Sequence, residues 1–333
     1  MSKHDSIPKP RESVSIKKSW TGSVYNLRMR RIAITMGEPG GIGPEVAVRA
    51  ALALKDAEPV LVGSADVFRE AAGLIGETLS IPVIDTGSAE FTKGAATAGG
   101  GRAAYEAIRR AVAMCVSGEA SAMVTAPVSK ESLKMAGLPW PGHTEMLAEL
   151  TGAKDFGMML IGGGLRVVLV TIHRAIRDVP ALITTERVLG TIRLAARAAR
   201  MLSIDAPRIA VAALNPHAGE GGMFGSEESE HITPAIERAR AEGIACSGPW
   251  PPDTVFFRAR RGEFDIVVCM YHDQGLIPLK LVGFEQGVNV TVGLPIIRTS
   301  PDHGTAYDIA WQGKADPASM QEAVRLALCL KAV

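Results

Sequence analysis

From Ile32 onward, short runs of β-branched and aliphatic residues alternate with longer segments rich in Ala, Leu and Arg. A short, fully apolar run followed by an amphipathic one is the pattern of repeated strand–helix–strand units. It predicts strands over 32–35, 60–63, 122–125, 166–171, 208–214 and 265–270, and helices over 44–54, 102–116, 185–201 and 231–242. The helix at 102–116 is entered through Gly99-Gly100-Gly101, and a shorter helical run covers Met146 to Thr151. Strands apolar on both faces are buried on both faces, so the expected fold is α/β, with a mostly parallel sheet covered by helices on each side. Glycine and proline punctuate the whole length, and no internal repeat is visible.

The chain has 333 residues, enough for about two domains at the usual ~150 residues each. Its first 28 residues carry Lys3, Lys9, Arg11, Lys17, Lys18 and Arg28 among Ser, Pro and Gly, without an apolar core segment. They read as a disordered tail rather than a secretory signal, with Met29 a second candidate initiator. Thirty-six basic residues against thirty-five acidic ones leave a net charge of +1, so neither nucleic acid nor an anionic membrane is an expected partner. No apolar stretch approaches the ~20 residues that cross a bilayer. The four cysteines, Cys115, Cys246, Cys269 and Cys329, are scattered, form no CxxC pair and suit a reducing compartment, the cytoplasm.

Three histidines occupy equivalent positions. The runs ending at Ile172, Leu214 and Tyr271 lead into His173, Asn215-Pro216-His217 and His272, each just past the carboxyl end of a predicted strand. One such histidine alone would be read as a hydrogen-bonded structural residue. Three at the edge where the loops of parallel strands converge can make a first-row metal site with positions open to substrate and water. Asp273 follows His272 directly and could orient that imidazole or ligate the ion itself. Lys280, Asn289 and Arg298 stand in an otherwise apolar, glycine-rich stretch and suit an anion such as a phosphate or carboxylate. His143 and Thr144 precede a helical run and are either polar site residues or, for Thr144, a helix cap.

The glycine turn Gly37-Glu38-Pro39-Gly40-Gly41-Ile42-Gly43-Pro44-Glu45 follows a strand and opens a helix, yet it lacks the third glycine of GxGxxG. It reads as a tight strand-to-helix turn. Neither a Walker motif nor a GxSxG elbow is present. The stretch from Asp302 to Pro317 resembles instead the cofactor loop of isocitrate and isopropylmalate dehydrogenases, HG[ST]A…DIAG.G.A.P, and the GIGPE at 41–45 is similar to their first turn.

The match narrows further in GEPGGIGPE at 37–45, TAPVSK at 125–130, GHTE at 142–145, LNPHAGEGG at 214–222, PPDT at 251–254, MYHDQG at 270–275 and GVNVTVGLPIIRTSPDHGTA at 287–306. From about Arg31 to Val333 the chain resembles the 4-hydroxythreonine-4-phosphate dehydrogenase family of pyridoxal phosphate biosynthesis, within the isocitrate/isopropylmalate dehydrogenase-like superfamily. Pro301, Trp250, Pro252 and Ile172 depart from the usual residues of that family, and none is an implied ligand.

The resemblance implies two α/β/α domains with a cleft between them. A discontinuous dinucleotide-binding domain would span 29–130 and 290–333, and a metal, substrate and dimerisation domain 131–289. It implies His173, His217 and His272 as ligands of one divalent ion (Zn, Co, Mn or Mg). His143, Thr144, Lys280, Asn289 and Arg298 would bind substrate, and His303, Gly304, Thr305 and Ala306 would bind NAD or NADP. It also implies a homodimer with the active site at its interface. The expected reaction is oxidation of 4-phosphohydroxy-L-threonine to 2-amino-3-oxo-4-phosphooxybutanoate, which decarboxylates to 3-amino-2-oxopropyl phosphate. The alternative is oxidation of D-threonate or D-erythronate 4-phosphate in sugar-acid catabolism. Lys280, Asp253 and Asp273 are the candidates for the general base.

Overall fold

The computed structural model describes residues 30–140 and 142–333. The expectations for residues 1–28 and for Met29 lie outside the described residues.

In chain order the strands are β1 (Arg31–Thr35), β2 (Glu58–Gly63), β3 (Val83–Asp85), β4 (Ala122–Thr125), β5 (Gly157–Gly162), β6 (Leu165–Leu169), β7 (Ile209–Ala212), β8 (Cys246–Trp250), β9 (Ile266–Cys269), β10 (Val288–Val292) and β11 (Arg298–Pro301). The helices are α1 (Gly43–Ala53), α2 (Ala65–Leu74), α3 (Ala98–Val116), α4 (Lys130–Met135), α5 (His143–Thr151), α6 (Val179–Leu182), α7 (Thr185–Met201), α8 (Thr233–Ala241), α9 (Pro252–Arg260), α10 (His272–Gly283) and α11 (Ala318–Cys329). All the predicted strands and helices form, several with ends shifted by one to four residues. The helix expected from Arg102 starts at Ala98, because Thr97 caps it by accepting from Gly100 N–H at 3.0 Å. Gly99, Gly100 and Gly101 lie inside that first turn rather than before it. A Cβ on Gly101 would stand 2.2 Å from the Ser132 carbonyl oxygen, so this glycine is what lets α3 approach α4.

The described residues divide into two compact units. One comprises 30–163, 200–204 and 283–333, with strand order β3-β2-β1-β4-β11-β10-β5. The other comprises 164–199 and 205–282, with order β6-β9-β7-β8. The segment 131–163, placed with the metal and substrate domain on the sequence, packs with the unit that holds both ends of the fold. The units divide at Gly163/Gly164 rather than at residue 130.

Within each unit most neighbours run parallel, while β10 is antiparallel to both β11 and β5. The central strands are buried along their whole lengths: β4, β7, β9 and β11 expose no residue, and in β1 only Arg31 is exposed. Parallel strands need helical crossovers, which cover both faces and leave water only at the strand ends.

A buried carboxyl lies at one such end. Glu38, in the turn after β1, is 0% exposed, and its Oε1 stands 2.1 Å from where a Cβ on Gly100 would be. Burial raises this carboxyl from 4.5 to about 7, against the opposing pull of the Ser132 side chain and the Gly40 main chain. The folded protein therefore favours the neutral acid. That contribution is complete below pH 4.5 and is lost as the pH rises through about 7. We predict that Glu38→Gln is more stable than wild type by about 3 kcal/mol at pH 8, and that the gap closes below pH 5. Thermal melts across that pH range measure it.

Candidate functional site

The unit holding 205–282 presents all three histidine loops, and each is braced by polar groups at a strand end. After β6, Thr171 donates its hydroxyl to the Met270 carbonyl at 2.8 Å, and its main-chain N–H reaches the same oxygen at 3.2 Å. This ties the chain leading into His173 to the chain leading into His272. Gln274, buried at the start of α10, accepts from Met270 N–H and donates to the Ala213 carbonyl, both at 2.7 Å. It thereby joins the ends of β9 and β7, the strands behind His272 and His217. Gly275 completes the arrangement, since a Cβ there would meet Cys269 Sγ at 3.0 Å and the side chains of Leu169 and Val167 at 3.2 and 3.3 Å.

The imidazoles of His173 and His272 lie with ring centroids 5.5 Å apart. His272 Nδ1 meets Asp273 Oδ1 at 2.7 Å, which orients the ring and leaves Nε2 as its free donor atom. Two exposed or half-exposed imidazoles at this separation suit a borderline divalent ion such as zinc or cobalt. His217 stands apart from them, with its ring 6.3 Å from that of Phe224. Among the described residues, no three His, Cys, Asp or Glu side chains of one chain gather around a single point.

His217 lies in an unusual turn. The residues His217, Ala218, Gly219, Glu220 and Gly221 all have φ between 43° and 81°, a left-handed turn between β7 and α8. Three of them are not glycine, and each costs about 1–2 kcal/mol relative to an ordinary conformation. The candidate bases fall in the same unit. Asp253 is exposed in the first turn of α9, and Lys280 is half-buried in the last turn of α10.

The other unit holds the remaining candidates except Lys280. Arg298 on β11 is 1% exposed. Its guanidinium reaches sideways to both neighbouring strands, donating to the Thr125 hydroxyl at the end of β4 at 2.6 and 3.1 Å and to the Thr291 hydroxyl of β10 at 3.0 Å. Among the described residues no carboxylate pairs with it. Burial pushes it down to about 9, so it stays charged at neutral pH.

A buried, charged guanidinium held only by hydroxyls is suited to receive an anion. His143, at the start of α5, is held well below 6.5, first by burial and then by the charge of Arg298, and is neutral at physiological pH. Its Nε2 is buried without a partner, as are Asn289 Oδ1 and His303 Nε2. Buried polar atoms are ordinarily paired, so these three are available to a ligand's polar groups. Thr144 is half-buried beside His143 and makes no cap hydrogen bond, the cap of α5 being Gly142.

The segment His303-Gly304-Thr305-Ala306 is fastened to the first glycine turn. Ile42 N–H donates to the Thr305 carbonyl at 2.9 Å, and a Cβ on Gly41 would stand 2.7 Å from that same oxygen. Trp311 Nε1 donates to the Pro39 carbonyl at 2.8 Å, and its ring stacks on Phe91 with centroids 5.7 Å apart. Trp311 has φ 59°, in the left-handed region that bulky residues rarely adopt, and these contacts hold it there. Sequence reasoning missed Thr171, Gln274, Thr125 and Thr291. The one available signal was a Gln in the otherwise apolar run after His272.

A family model described as pyridoxal phosphate biosynthetic protein PdxA matches residues 51–327. A protein of Geobacter metallireducens named 4-hydroxythreonine-4-phosphate dehydrogenase is 50% identical over 320 residues, covering 89% of this chain and 94% of that protein. A protein of Pectobacterium atrosepticum named D-threonate 4-phosphate dehydrogenase is 44% identical over 321 residues, 90% of this chain and 98% of that protein. The crystal structure of 4-hydroxythreonine-4-phosphate dehydrogenase from Klebsiella pneumoniae superposes with a TM-score of 0.85 at 43% identity, covering 92% of this chain and 99% of that one.

The proximity of Arg298 and His143 generates a prediction. Replacing Arg298 by Met removes the neighbouring charge but not the burial. The His143 pKa then rises yet stays below 6.5, as followed through its imidazole proton resonances during a pH titration.

Proposed function

The chain belongs to the family of pyridoxal phosphate biosynthetic protein PdxA, a family of dehydrogenases, and on that premise we propose that it oxidises 4-phosphohydroxy-L-threonine with NAD or NADP and a divalent metal. The observation that carries this reading is the buried Arg298 beside a neutral His143, with His143 Nε2 and Asn289 Oδ1 unpartnered. A phosphorylated hydroxy acid offers the anionic oxygens and hydroxyl groups that such a set would satisfy. Arg298 gives a forked donor, His143 and Thr144 give neutral polar groups, and Asn289 adds an amide from the same unit.

His173, His217 and His272 would hold the metal, with Asp273 orienting His272. A bound divalent ion would supply Lewis acidity toward the substrate hydroxyl, and the dinucleotide would supply the hydride acceptor. Of the three candidates for the general base, Asp273 is least suited, because its carboxylate already meets His272 Nδ1. Lys280 and Asp253 remain as candidates. His303 to Ala306 would seat the dinucleotide, with the 37–43 turn as their support. The resulting β-keto acid loses carbon dioxide readily.

We further infer a homodimer that completes the metal site. The separation of His217 from the other two histidines within one chain supports this, since a ligand set split between subunits need not gather in either. Ile277 and Leu281, four residues apart on one face of α10, are 65% and 85% exposed, an apolar face suited to a second copy. All four cysteines are free, and among the described residues no helix is long and apolar enough to cross a membrane. Both facts fit a cytoplasmic location.

A second substrate reading is D-threonate 4-phosphate, or its erythronate isomer, favoured by the relative of that name. These acids differ from the amino acid in carrying a hydroxyl where it carries an amine. Following NADH and NADPH formation with all three substrates decides between them. The amino acid is expected to give at least a tenfold higher kcat/KM, a discrimination of about 1.4 kcal/mol. Preference for a sugar acid replaces the first reading by the second, and silence on all three overturns both. Stripping the enzyme with a chelator should abolish turnover, and adding back zinc, cobalt or manganese should restore it. Full activity after stripping would remove the metal from the mechanism.

A further inference from the structure

The left-handed turn that carries His217 is held by a carboxylate that the reaction itself does not use. Glu228 is 5% exposed and belongs to the helical turn Glu228–Ile232 that leads into α8. Its Oε1 accepts from two successive main-chain groups, Leu214 N–H at 2.9 Å and Asn215 N–H at 2.8 Å. Its Oε2 accepts from the Asn215 side-chain amide at 3.0 Å, and Glu227 Oε2 takes another hydrogen bond from that amide at 2.8 Å.

The turn itself closes over the same group, since a Cβ on Gly219 would stand 2.8 Å from Glu228 Oε2. Gly225 leaves room on the other side, where a Cβ would fall 2.5 Å from Asn215 Nδ2. Among the described residues Glu228 has no basic partner within ion-pair distance. Its two oxygens are instead satisfied by the amides that begin the His217 loop. A run of left-handed residues persists only where its surroundings over-determine it. Here the surroundings are one buried carboxylate gripping the chain just before the turn and touching the turn's central glycine.

We propose that Glu228 is a positioning residue for the metal site: it locks the 214–222 loop in its left-handed turn, so that the His217 imidazole is presented in one place. The inference rests on the reading of His217 as a metal ligand, and the test separates the two. Glu228→Ala removes all three acceptor contacts. Glu228→Gln keeps one carbonyl oxygen for the Leu214 and Asn215 amides and serves as the conservative rescue. Gly219→Ala pushes on the same carboxylate from the turn and leaves Glu228 in place.

Cobalt(II) is titrated into each metal-free protein by calorimetry, and amide hydrogen exchange is measured at Leu214 and Asn215. Glu228→Ala should weaken cobalt binding by about 10- to 100-fold, the range typical for residues that orient a ligand. It should also speed exchange at both amides, while Glu228→Gln recovers most of each effect. Gly219→Ala should weaken cobalt binding in the same direction, and it keeps the question open to measurement should Glu228→Ala fail to fold. A folded Glu228→Ala protein with wild-type amide exchange and wild-type cobalt affinity overturns the proposal. If His217→Ala binds cobalt as tightly as wild type, the ligand reading falls, and amide exchange alone then decides whether Glu228 holds the loop.

Discussion

Parallel strands that are buried on both faces create a problem at their carboxyl ends, where the main chain leaves the ladder and its last amides and carbonyls still need partners. In the unit that holds 205–282, buried polar side chains provide them. Thr171 and Gln274 join the ends of β6, β9 and β7 through the main chain of Met270 and Ala213, and Glu228 receives the amides just past β7. Each bond satisfies a group that would otherwise be stranded in the interior. Each also fixes the departure of a loop that ends in a histidine. Structural necessity and the placement of candidate ligands are thus met by the same contacts, which is why the three loops can be short.

The other unit applies the same rule to a charge. Arg298 belongs to a strand between β4 and β10, where an unpaired guanidinium would be prohibitively costly. Thr125 and Thr291, one from each flanking strand, keep it hydrogen-bonded without neutralising it. A carboxylate in their place would make a conventional buried ion pair and leave nothing for an incoming anion. Hydroxyl partners preserve the positive charge, and that charge in turn helps keep His143 neutral. The local fold can tolerate this arrangement because the hydroxyls themselves come from positions rigidly set by the sheet register, with Arg298 opposite Met123 and Thr299 opposite Val124.

Regions with a single clean period were legible in the sequence. The helix at Thr185–Met201 and the strands ending before His173, His217 and His272 follow directly from amphipathic spacing and apolar runs. β10 and β11 were not legible as strands, because Asn289, Arg298, Thr299 and Ser300 are polar and yet lie in a sheet interior. Polar residues in such a stretch signal a binding loop as readily as a strand, and only the register decides. The braces were hidden for another reason. Glu228 acts on a main chain 13 and 14 positions earlier, and Gln274 on one 61 positions earlier, separations over which no local periodicity operates.

The glycine turn at 37–43 is the tight strand-to-helix turn read from the sequence, and it also supports a distant loop. Its spacing excludes a pyrophosphate cradle of the GxGxxG kind, and the turn does enter α1 as a tight corner. Its main chain nevertheless receives and donates hydrogen bonds to the 305–311 segment, with Gly41 small enough to let Thr305 touch it. The glycines there serve protein–protein contact within one unit instead of protein–phosphate contact. A dinucleotide seated on His303 to Ala306 would then rest on a loop whose shape is imposed from behind by the turn after β1. Two motifs more than 260 residues apart in sequence become one support. On the proposed reading, the first turn then contributes by shaping the 303–306 loop from behind, and a dinucleotide fingerprint in the turn itself is not required.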